Sequence, residues 1–294
     1  MRDIKLKAEL FGYLLGDGWI STRNLNCGFS GDIESLQIIK NDLKKIFNGD
    51  IGAANIKTYK TESATYGISG ETNRFICSKK VADMFVSLGA PIGKRVEQDV
   101  IIPNWILNGN KEIKSSFISG IYAAEGYTPR FQKNGKTLKA IGFNMSKRSF
   151  CDKDLFINQY SKILKDLGIE FNVKIKNTFT CDYNNKIEFI FSNSNENIER
   201  VTRIIVPRYS KEKYNLFKQI NSYYNKKIEC LNKLEEAYEY TFKHPNKYPI
   251  EIAKKFNITK RQVEGWRRRK TGFRIPNTFP TFNDFIASGT YGPL

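Results

Sequence analysis

Asp17 and Glu125 are the residues of this chain best placed to do chemistry together. The first closes Leu10-Phe11-Gly12-Tyr13-Leu14-Leu15-Gly16-Asp17-Gly18, the second Ile118-Ser119-Gly120-Ile121-Tyr122-Ala123-Ala124-Glu125-Gly126. Both stretches are apolar and carry a small residue every fourth position, Gly12 and Gly16 in one, Gly120 and Ala124 in the other. Each predicts a helix that ends on a carboxylate, with a glycine available for a left-handed cap. A carboxylate is the wrong charge there, because the helix dipole already gathers negative potential at its C-terminus. Two such placements at matching positions imply that something positive, a metal ion, sits between them. Small residues on one face let two parallel helices touch along their backbones and bring the acids into one volume. Carboxylates that close repel unless a proton or a cation joins them. Mg²⁺ suits hard oxygen ligands and keeps several waters. Such a centre can activate water, stabilise a leaving oxygen and clamp a phosphate during in-line displacement.

The elements around the two helices also recur. After the first, expected over residues 7–16, turn-rich strand sequence runs to Phe29. A helix over 35–47 carries Leu36, Ile39, Leu43 and Phe47 on one face. Strands are expected at 56–59 and 74–77, and Ser78 should cap a helix holding Val81, Met84, Phe85 and Leu88. The second helix, 116–125, is followed by strands at 130–132 and 138–144, a helix at 155–167 closed by Gly168, and strands at 171–175 and 187–191. Ser192 or Ser194 should then cap a helix holding Ile198 and Val201. Phe75-Ile76-Cys77-Ser78 parallels Phe189-Ile190-Phe191-Ser192. The order implies a duplicated α+β unit of roughly 100 residues per copy.

Beyond Lys226 strand signals stop. A helix is expected over 228–242, then a helix-turn-helix over 249–266. Ala253 would sit at the tight helix crossing and Asn257 at the turn. Thr259 and Gln262 should form a capping box. The tail from Gly272, rich in aromatics, Pro and Gly, is expected to wrap the surface.

The chain has 294 residues, with 48 Lys+Arg against 30 Asp+Glu, a formal net charge of +18. A chain this basic points to a polyanionic partner. Residues 245–294 hold ten Lys/Arg and three Asp/Glu, so this segment alone carries 10 − 3 = +7. There is no apolar run long enough to span a membrane, and the start lacks a signal-peptide core. The five cysteines form no CxxC pair, and a single histidine, His244, excludes histidine-clustered zinc sites. A reducing, cytoplasmic or nucleoid-associated location is expected, an organelle matrix not being excluded.

The stretches 10–18 and 118–126 resemble the motif of the LAGLIDADG homing endonucleases in their single-chain, two-motif form. The glycines at 12 and 120 and the acid–glycine pairs 17–18 and 125–126 carry the likeness, which extends over about residues 5–225. The resemblance implies an α+β fold of two pseudo-symmetric units (residues 1–108 and 109–225). Their motif helices would form a central pair, and their antiparallel sheets would saddle the major groove of DNA. A small all-α helix-turn-helix domain (226–294) would follow. It implies a site-specific double-strand endonuclease, dependent on Mg²⁺ or Mn²⁺, that leaves 3′ overhangs and serves intron or intervening-sequence mobility. The cation would be held at a site made by Asp17, Glu125, Gly16 and Ala124. A basic residue near each scissile phosphate is also implied: Lys94 in the first half, and Lys211, with Lys213 a near alternative, in the second. Family members often carry Gln or Lys on the strand before the second helix. Phe29-Ser30-Gly31-Asp32 departs from this and leaves the water-positioning residue unassigned, whereas Lys147 keeps a basic option in the second half.

DNA contacts are expected from strand faces. Lys174 and Lys176 alternate with Val173 and Ile175, which gives a basic face and a packed one. Lys57 with Tyr59, Arg74 in the neighbouring strand, and Arg130 with Gln132 extend that reading. Arg and Gln suit purine edges, whereas Lys more often holds phosphate. In the helix-turn-helix, Lys260, Arg261 and Gln262 open the recognition helix. Arg267, Arg268, Arg269 and Lys270 close it. The expected partner is a long, asymmetric DNA duplex bound by a monomer, with intron RNA a second candidate. The competing readings are an RNA maturase and a transcription regulator on the same scaffold. An intein is not expected, since the chain starts at Met1 and ends Tyr291-Gly292-Pro293-Leu294 without a terminal His-Asn.

Overall fold

A computed structural model of the chain describes residues 2–52, 55–62, 69–93, 98, 100–147, 153–177, 185–269, 275 and 279–289. The first half runs α1 (Arg2–Asp17), β1 (Gly18–Ile20), β2 (Cys27–Gly31), α2 (Ile33–Ile46), β3 (Lys57–Glu62), β4 (Ser69–Cys77) and α3 (Lys79–Ser87). A short α4 (Asn104–Leu107) leads to α5 (Lys111–Glu125), β5 (Arg130–Phe131), β6 (Leu138–Ala140), β7 (Gly142–Lys147), α6 (Lys153–Asp166), β8 (Phe171–Asn177), β9 (Asn185–Phe191) and α7 (Asn195–Ile204). Then come α8 (Lys211–Lys243), α9 (Pro249–Phe256), α10 (Lys260–Arg269) and α11 (Phe282–Ala287).

All strand pairs are antiparallel. The first half builds the sheet β1-β2-β4-β3 and the second builds β7-β9-β8, with β5-β6 as a separate hairpin. The registers of the two sheets correspond. Phe29 faces Phe75 and Phe143 faces Phe189, and each pair stacks, with centroids 5.4 Å and 4.9 Å apart. Gly18 pairs with Phe29, and Gly126 makes an isolated bridge to Phe143. These rings alternate with outward residues, so each sheet packs one face on helices and opens the other. One contiguous core spans both halves and the start of α8. Burying each large apolar side chain contributes about 1.5–3 kcal/mol before entropy is subtracted.

The local signals that start these helices are visible. Ser35 N–H donates to Asp32 Oδ1 at 2.8 Å before α2, and Ile113 N–H donates to Asn110 Oδ1 at 3.0 Å before α5. Of the two serines before α7, Ser194 is the cap. Ser78 occupies the N-cap of α3, but its side chain makes no capping bond. The strand expected over 138–144 breaks at Ile141, where the chain leaves the β5-β6 hairpin for the β7-β9-β8 sheet, and only glycine fits at 142, since a Cβ there would lie 2.1 Å from Phe189 O.

The largest departure is α8. The helix expected over 228–242 has 33 residues and runs unbroken through residue 226, a rod of about 50 Å. Its first half belongs to the main core. Its second half joins α9 and α10 around a small core of Leu234, Ala237, Ile252, Ala253, Val263 and Trp266. Asn257, left-handed at φ 52°, makes the turn between α9 and α10. Thr259 and Gln262 exchange bonds, Thr259 N–H to Gln262 Oε1 at 2.9 Å and Gln262 N–H to Thr259 Oγ1 at 3.2 Å. The described part of the tail returns to the second half, where Phe282 stacks on Phe131 at 4.3 Å and Tyr223 OH donates to Pro280 O at 3.0 Å.

An ionic cluster with buried acids and a half-buried arginine fastens the end of the second half to the first. Arg208 donates through Nε and Nη2 to the Glu9 carboxylate of α1 and through Nη2 to Asp42 Oδ2 of α2. Tyr209 OH donates to the same Asp42 oxygen at 3.1 Å. Burial pulls the Arg208 pKa down, but Glu9 and Asp42 outweigh it and raise it above the ordinary range.

Candidate active site and nucleic-acid interface

Helices α1 and α5 meet backbone to backbone. A Cβ on Gly12 would lie 2.2 Å from Phe117 O; on Gly120, 2.0 Å from Glu9 O and 2.7 Å from Tyr13 N; on Gly16, 2.2 Å from Ala124 Cβ. The contacts advance in the same direction along both chains, so the helices are parallel, with residue 12 level with 120 and 16 level with 124. Asp17 and Glu125, one residue further, therefore leave the paired helix ends side by side. A Cβ on Gly16 would stand 3.2 Å from Glu125 Cγ, which puts the Glu125 side chain against the residue that precedes Asp17.

The glycines after the acids serve space rather than a left-handed cap, contrary to the sequence expectation. Gly126 is extended at φ −72° and ψ 145°. Side chains at Gly18 and Gly126 would strike Leu14 and Tyr122, at 2.6 and 2.4 Å. Each chain thus turns tightly from helix end into strand, keeping the acid at the mouth of the pair.

The third member of the site is Lys213. Its Nζ donates to Ala123 O at 2.9 Å and Tyr122 O at 3.3 Å, carbonyls of the last turn of α5, the second of which also accepts from Gly126 N–H. Burial brings its pKa below the ordinary lysine range, and Asp17, Glu125 and Glu212 oppose that shift. Both acids thus act on one ammonium. Lys211, preferred from the sequence, sits elsewhere: its Nζ pairs with Glu34 Oε1 at 2.9 Å, and both side chains are exposed. Lys94 lies outside the described residues. The loop leading to it is tied to the end of β1 by Gly93 N–H donating to Ile20 O at 2.8 Å. Asp32, in the stretch left unassigned, is taken up in capping α2.

Two carboxylates at the converging negative ends of two helices make a hard-oxygen, electronegative site, and this donor chemistry fits Mg²⁺ or Mn²⁺. No group of three or more His, Cys, Asp or Glu side chains is assembled among the described residues. Asp17 and Glu125 would hold such an ion together with oxygens from water or a phosphate.

The open sheet faces carry most of the expected DNA-binding residues. Lys57 and Tyr59 are exposed on β3, and Arg74 lies on the adjacent β4, paired with Lys57. Trp19, which the sequence reading passed over, covers Gly28 on the same face; a Cβ on Gly28 would lie 2.1 Å from its ring. The signal was present, since an aromatic follows each acid–glycine pair, Trp19 in one half and Tyr127 in the other. In the second half Lys174 and Lys176 are exposed on β8. Lys176 Nζ pairs with Glu188 at 2.8 Å and Lys186 Nζ at 3.3 Å. Burial raises the Glu188 carboxyl, but hydrogen bonds from Lys176, Lys186 and Tyr127 bring it below its usual range. The packed face of β8 is incomplete, since Ile175 is 48% exposed. Arg130 and Gln132 are exposed on and beside the separate hairpin. Lys147 ends β7, and its side chain is outside the described residues, as are the Arg269 side chain and Lys270.

Lys260, Arg261 and Arg268 are exposed on α10, with Lys260 and Arg268 each near Glu264, at 3.5 and 3.6 Å. Gln262 spends its side-chain oxygen on the capping box. Arg267, expected to contact DNA, turns inward. Its Nη2 donates to Lys247 O at 2.8 Å and His244 O at 3.3 Å, closing the end of α8. No helix among the described residues is long and apolar enough to cross a membrane.

No protein-family model matches the chain. Among curated proteins it is 33% identical over 181 residues to the DNA-directed RNA polymerase subunit Rpo1N of Methanocaldococcus jannaschii, covering 58% of this chain and 13% of that one. It is 29% identical over 291 residues to the replication factor C small subunit of the same organism, covering 95% and 15%. It is 25% identical over 295 residues to the tRNA-splicing ligase RtcB of Methanopyrus kandleri, covering 95% and 29%. The chain thus spans less than a third of the length of each of these relatives. Among solved structures it resembles the homing endonuclease I-WcaI bound to its DNA recognition sequence (TM-score 0.46, 16% identity, 72% of this chain and 85% of that one). It also resembles I-DmoI in complex with DNA and Ca (TM-score 0.45, 16% identity, 74% and 98%). Neither likeness is close enough to assign chemistry to this chain.

Proposed function

We propose that the chain is a two-motif LAGLIDADG homing endonuclease that hydrolyses both strands of a long asymmetric DNA duplex as a monomer. The observation that carries this reading is the backbone contact of two helices that both end on acids, with a half-buried lysine on the last carbonyls of one of them. Asp17 and Glu125 hold a divalent cation, Mg²⁺ or Mn²⁺, with Gly16 and Ala124 keeping the helix ends in contact. The cation, when bound, makes water a better nucleophile and stabilises the leaving oxygen. Lys213, rather than Lys211, places a positive charge beside the scissile phosphate in the second half, and Lys94 does so in the first. Two related halves, 1–108 and 109–225, each cut one strand and leave 3′ overhangs.

Recognition spreads over both open sheet faces. Lys57, Tyr59, Arg74, Lys174 and Lys176 face the groove, with Arg130, Gln132 and Lys147 at the margins. Within the segment 226–294, the helices α9 and α10 form a DNA-binding helix-turn-helix that contacts DNA through Lys260, Arg261, Arg268, Arg269 and Lys270. Arg267 holds that unit together. Alignments covering 95% of this chain, made to proteins of different names and to under a third of each, fit a self-contained unit carried within other proteins. Such a unit suits intron or intervening-sequence mobility.

Asp17→Asn or Glu125→Gln should each lower Mg²⁺-dependent cleavage at least about a hundredfold, the scale for losing one charge-stabilising group, while leaving duplex affinity largely intact. Full cleavage by either variant refutes the site. Tight duplex binding by the wild type without any Mg²⁺-dependent nicking would favour a transcription regulator instead.

A further inference from the structure

The open faces of the two sheets are not equivalent, and the difference lies at one position. Ser30 and Lys57 flank Arg74 in the first sheet; Asn144 and Lys174 flank Glu188 at the corresponding place in the second. Glu188 is consumed within the second sheet by Lys176 and Lys186. Arg74 has no such acid. Among the described residues its guanidinium makes no ion pair or hydrogen bond, and its Nε is buried without an acceptor. Aromatic rings hold it instead: its Cζ lies 5.7 Å from the Trp19 ring and 5.6 Å from the Tyr59 ring. Trp19 can lie there because residue 28 is glycine.

This arrangement selects among the ways a guanidinium binds. A side-on grip, common on phosphate, uses Nε and one terminal nitrogen. With Nε sealed, the end-on pair Nη1 and Nη2 is what the guanidinium has left to offer a ligand. That parallel fork matches guanine O6 and N7 in the major groove. The two rings hold the fork before DNA arrives, so less side-chain freedom is lost on binding. We infer that Arg74 reads a guanine through Nη1 and Nη2, in the half of the target under the first sheet, and that the second sheet makes no matching contact. The inference rests on the nuclease reading above. Strand β4 lies two strands out from β1, ~10 Å away at ordinary strand spacing. The guanine should therefore lie ~3 base pairs beyond the bases nearest the site.

The test is selection from a randomised duplex library by the wild type, Arg74→Ala and Arg74→Lys, followed by affinity measurements on the selected site. The wild type should require one guanine in one half of the site and none at the symmetry-related position. Arg74→Ala should lose that requirement alone, whereas Arg74→Lys, whose ammonium can still donate to guanine, should weaken it. In the selected site, 7-deazaguanine, which lacks N7, should weaken wild-type binding about tenfold to a hundredfold and leave Arg74→Ala binding unchanged. That arm needs no variant to read the wild-type effect. Arg74 is a phosphate contact, and the inference fails, if Arg74→Ala keeps every base preference and binds all sequences uniformly less well. It also fails if 7-deazaguanine has no effect on the wild type. If the wild type selects no duplex at all, the nuclease reading falls and takes this assignment with it.

Discussion

Gly120→Ala is the perturbation that probes the helix contact most sharply. On propensity alone the change should help, since alanine is favoured over glycine inside a helix by about 1 kcal/mol. The contact reverses the sign. The new Cβ would lie 2.0 Å from Glu9 O and 2.7 Å from Tyr13 N, both backbone atoms that cannot rotate away. Reaching an ordinary contact of ~3.5 Å requires the helices to part by ~1.5 Å. Overpacking of this kind costs about 1–3 kcal/mol, which offsets the propensity gain and leaves a net loss of up to ~2 kcal/mol. Parting the helices also separates Asp17 from Glu125, and a misplacement of ~1 Å can cost ~100-fold in rate. Cleavage should therefore fall far more than stability or duplex affinity. Gly265→Ala is the control, because nothing lies within 4 Å of a Cβ there, and it should stabilise by about 0.5–1 kcal/mol. Urea denaturation and single-turnover cleavage of both variants decide the matter. If Gly120→Ala matches the wild type in stability and rate, the two helices do not set the geometry of the site.

The remaining predictions test individual contacts. Lys213→Met should slow cleavage at least tenfold with little change in duplex binding, while Lys211→Met should change neither by more than about twofold, because an exposed pair with Glu34 contributes ~0–1 kcal/mol; equal effects in a cleavage assay would undo the assignment. Burial pushes the Glu9 carboxyl up to about 7, against the pull of Arg208. The fold then keeps a proton that the unfolded chain has lost, so this contribution is fully present below about pH 4.5 and disappears as pH rises to about 7. It is worth up to ~3 kcal/mol. Denaturation across that window should show a declining component that Glu9→Gln flattens, and an unchanged slope would contradict it. Phe282→Ala, which removes the ring stacked on Phe131, should cost about 3–5 kcal/mol of stability by denaturation; a loss under 1 kcal/mol would mean that the tail is only loosely docked.

Much of the fold was legible because its signals are local. Small residues four apart, followed by an acid and a glycine, predict helices that touch and end together, and Phe75 and Phe189 sit at matching places because strand alternation demands it. The second basic residue was not legible. Lys211 and Lys213 lie two residues apart, ~200° around a helix, so only the orientation of α8 decides which one meets α5. The inward bonds of Arg267 were not legible for a similar reason: a run of arginines does not reveal which member faces the end of α8. Trp19 escaped because an aromatic after a glycine reads as ordinary strand core until Gly28 is known to lie beneath it. The unbroken α8 hid behind polar sequence near residue 226, where a long exposed helix and a linker look alike.

The central claim is that Asp17 and Glu125 share a divalent cation at the meeting of two helices. Anomalous diffraction from Mn²⁺ in crystals of the protein with its selected duplex tests it directly. Manganese density should appear at coordination distance from both carboxylates and beside a DNA phosphate, and it should vanish in the Asp17→Asn, Glu125→Gln double variant. Manganese bound elsewhere on the protein, with both acids bare while the duplex is still cut, would contradict the account.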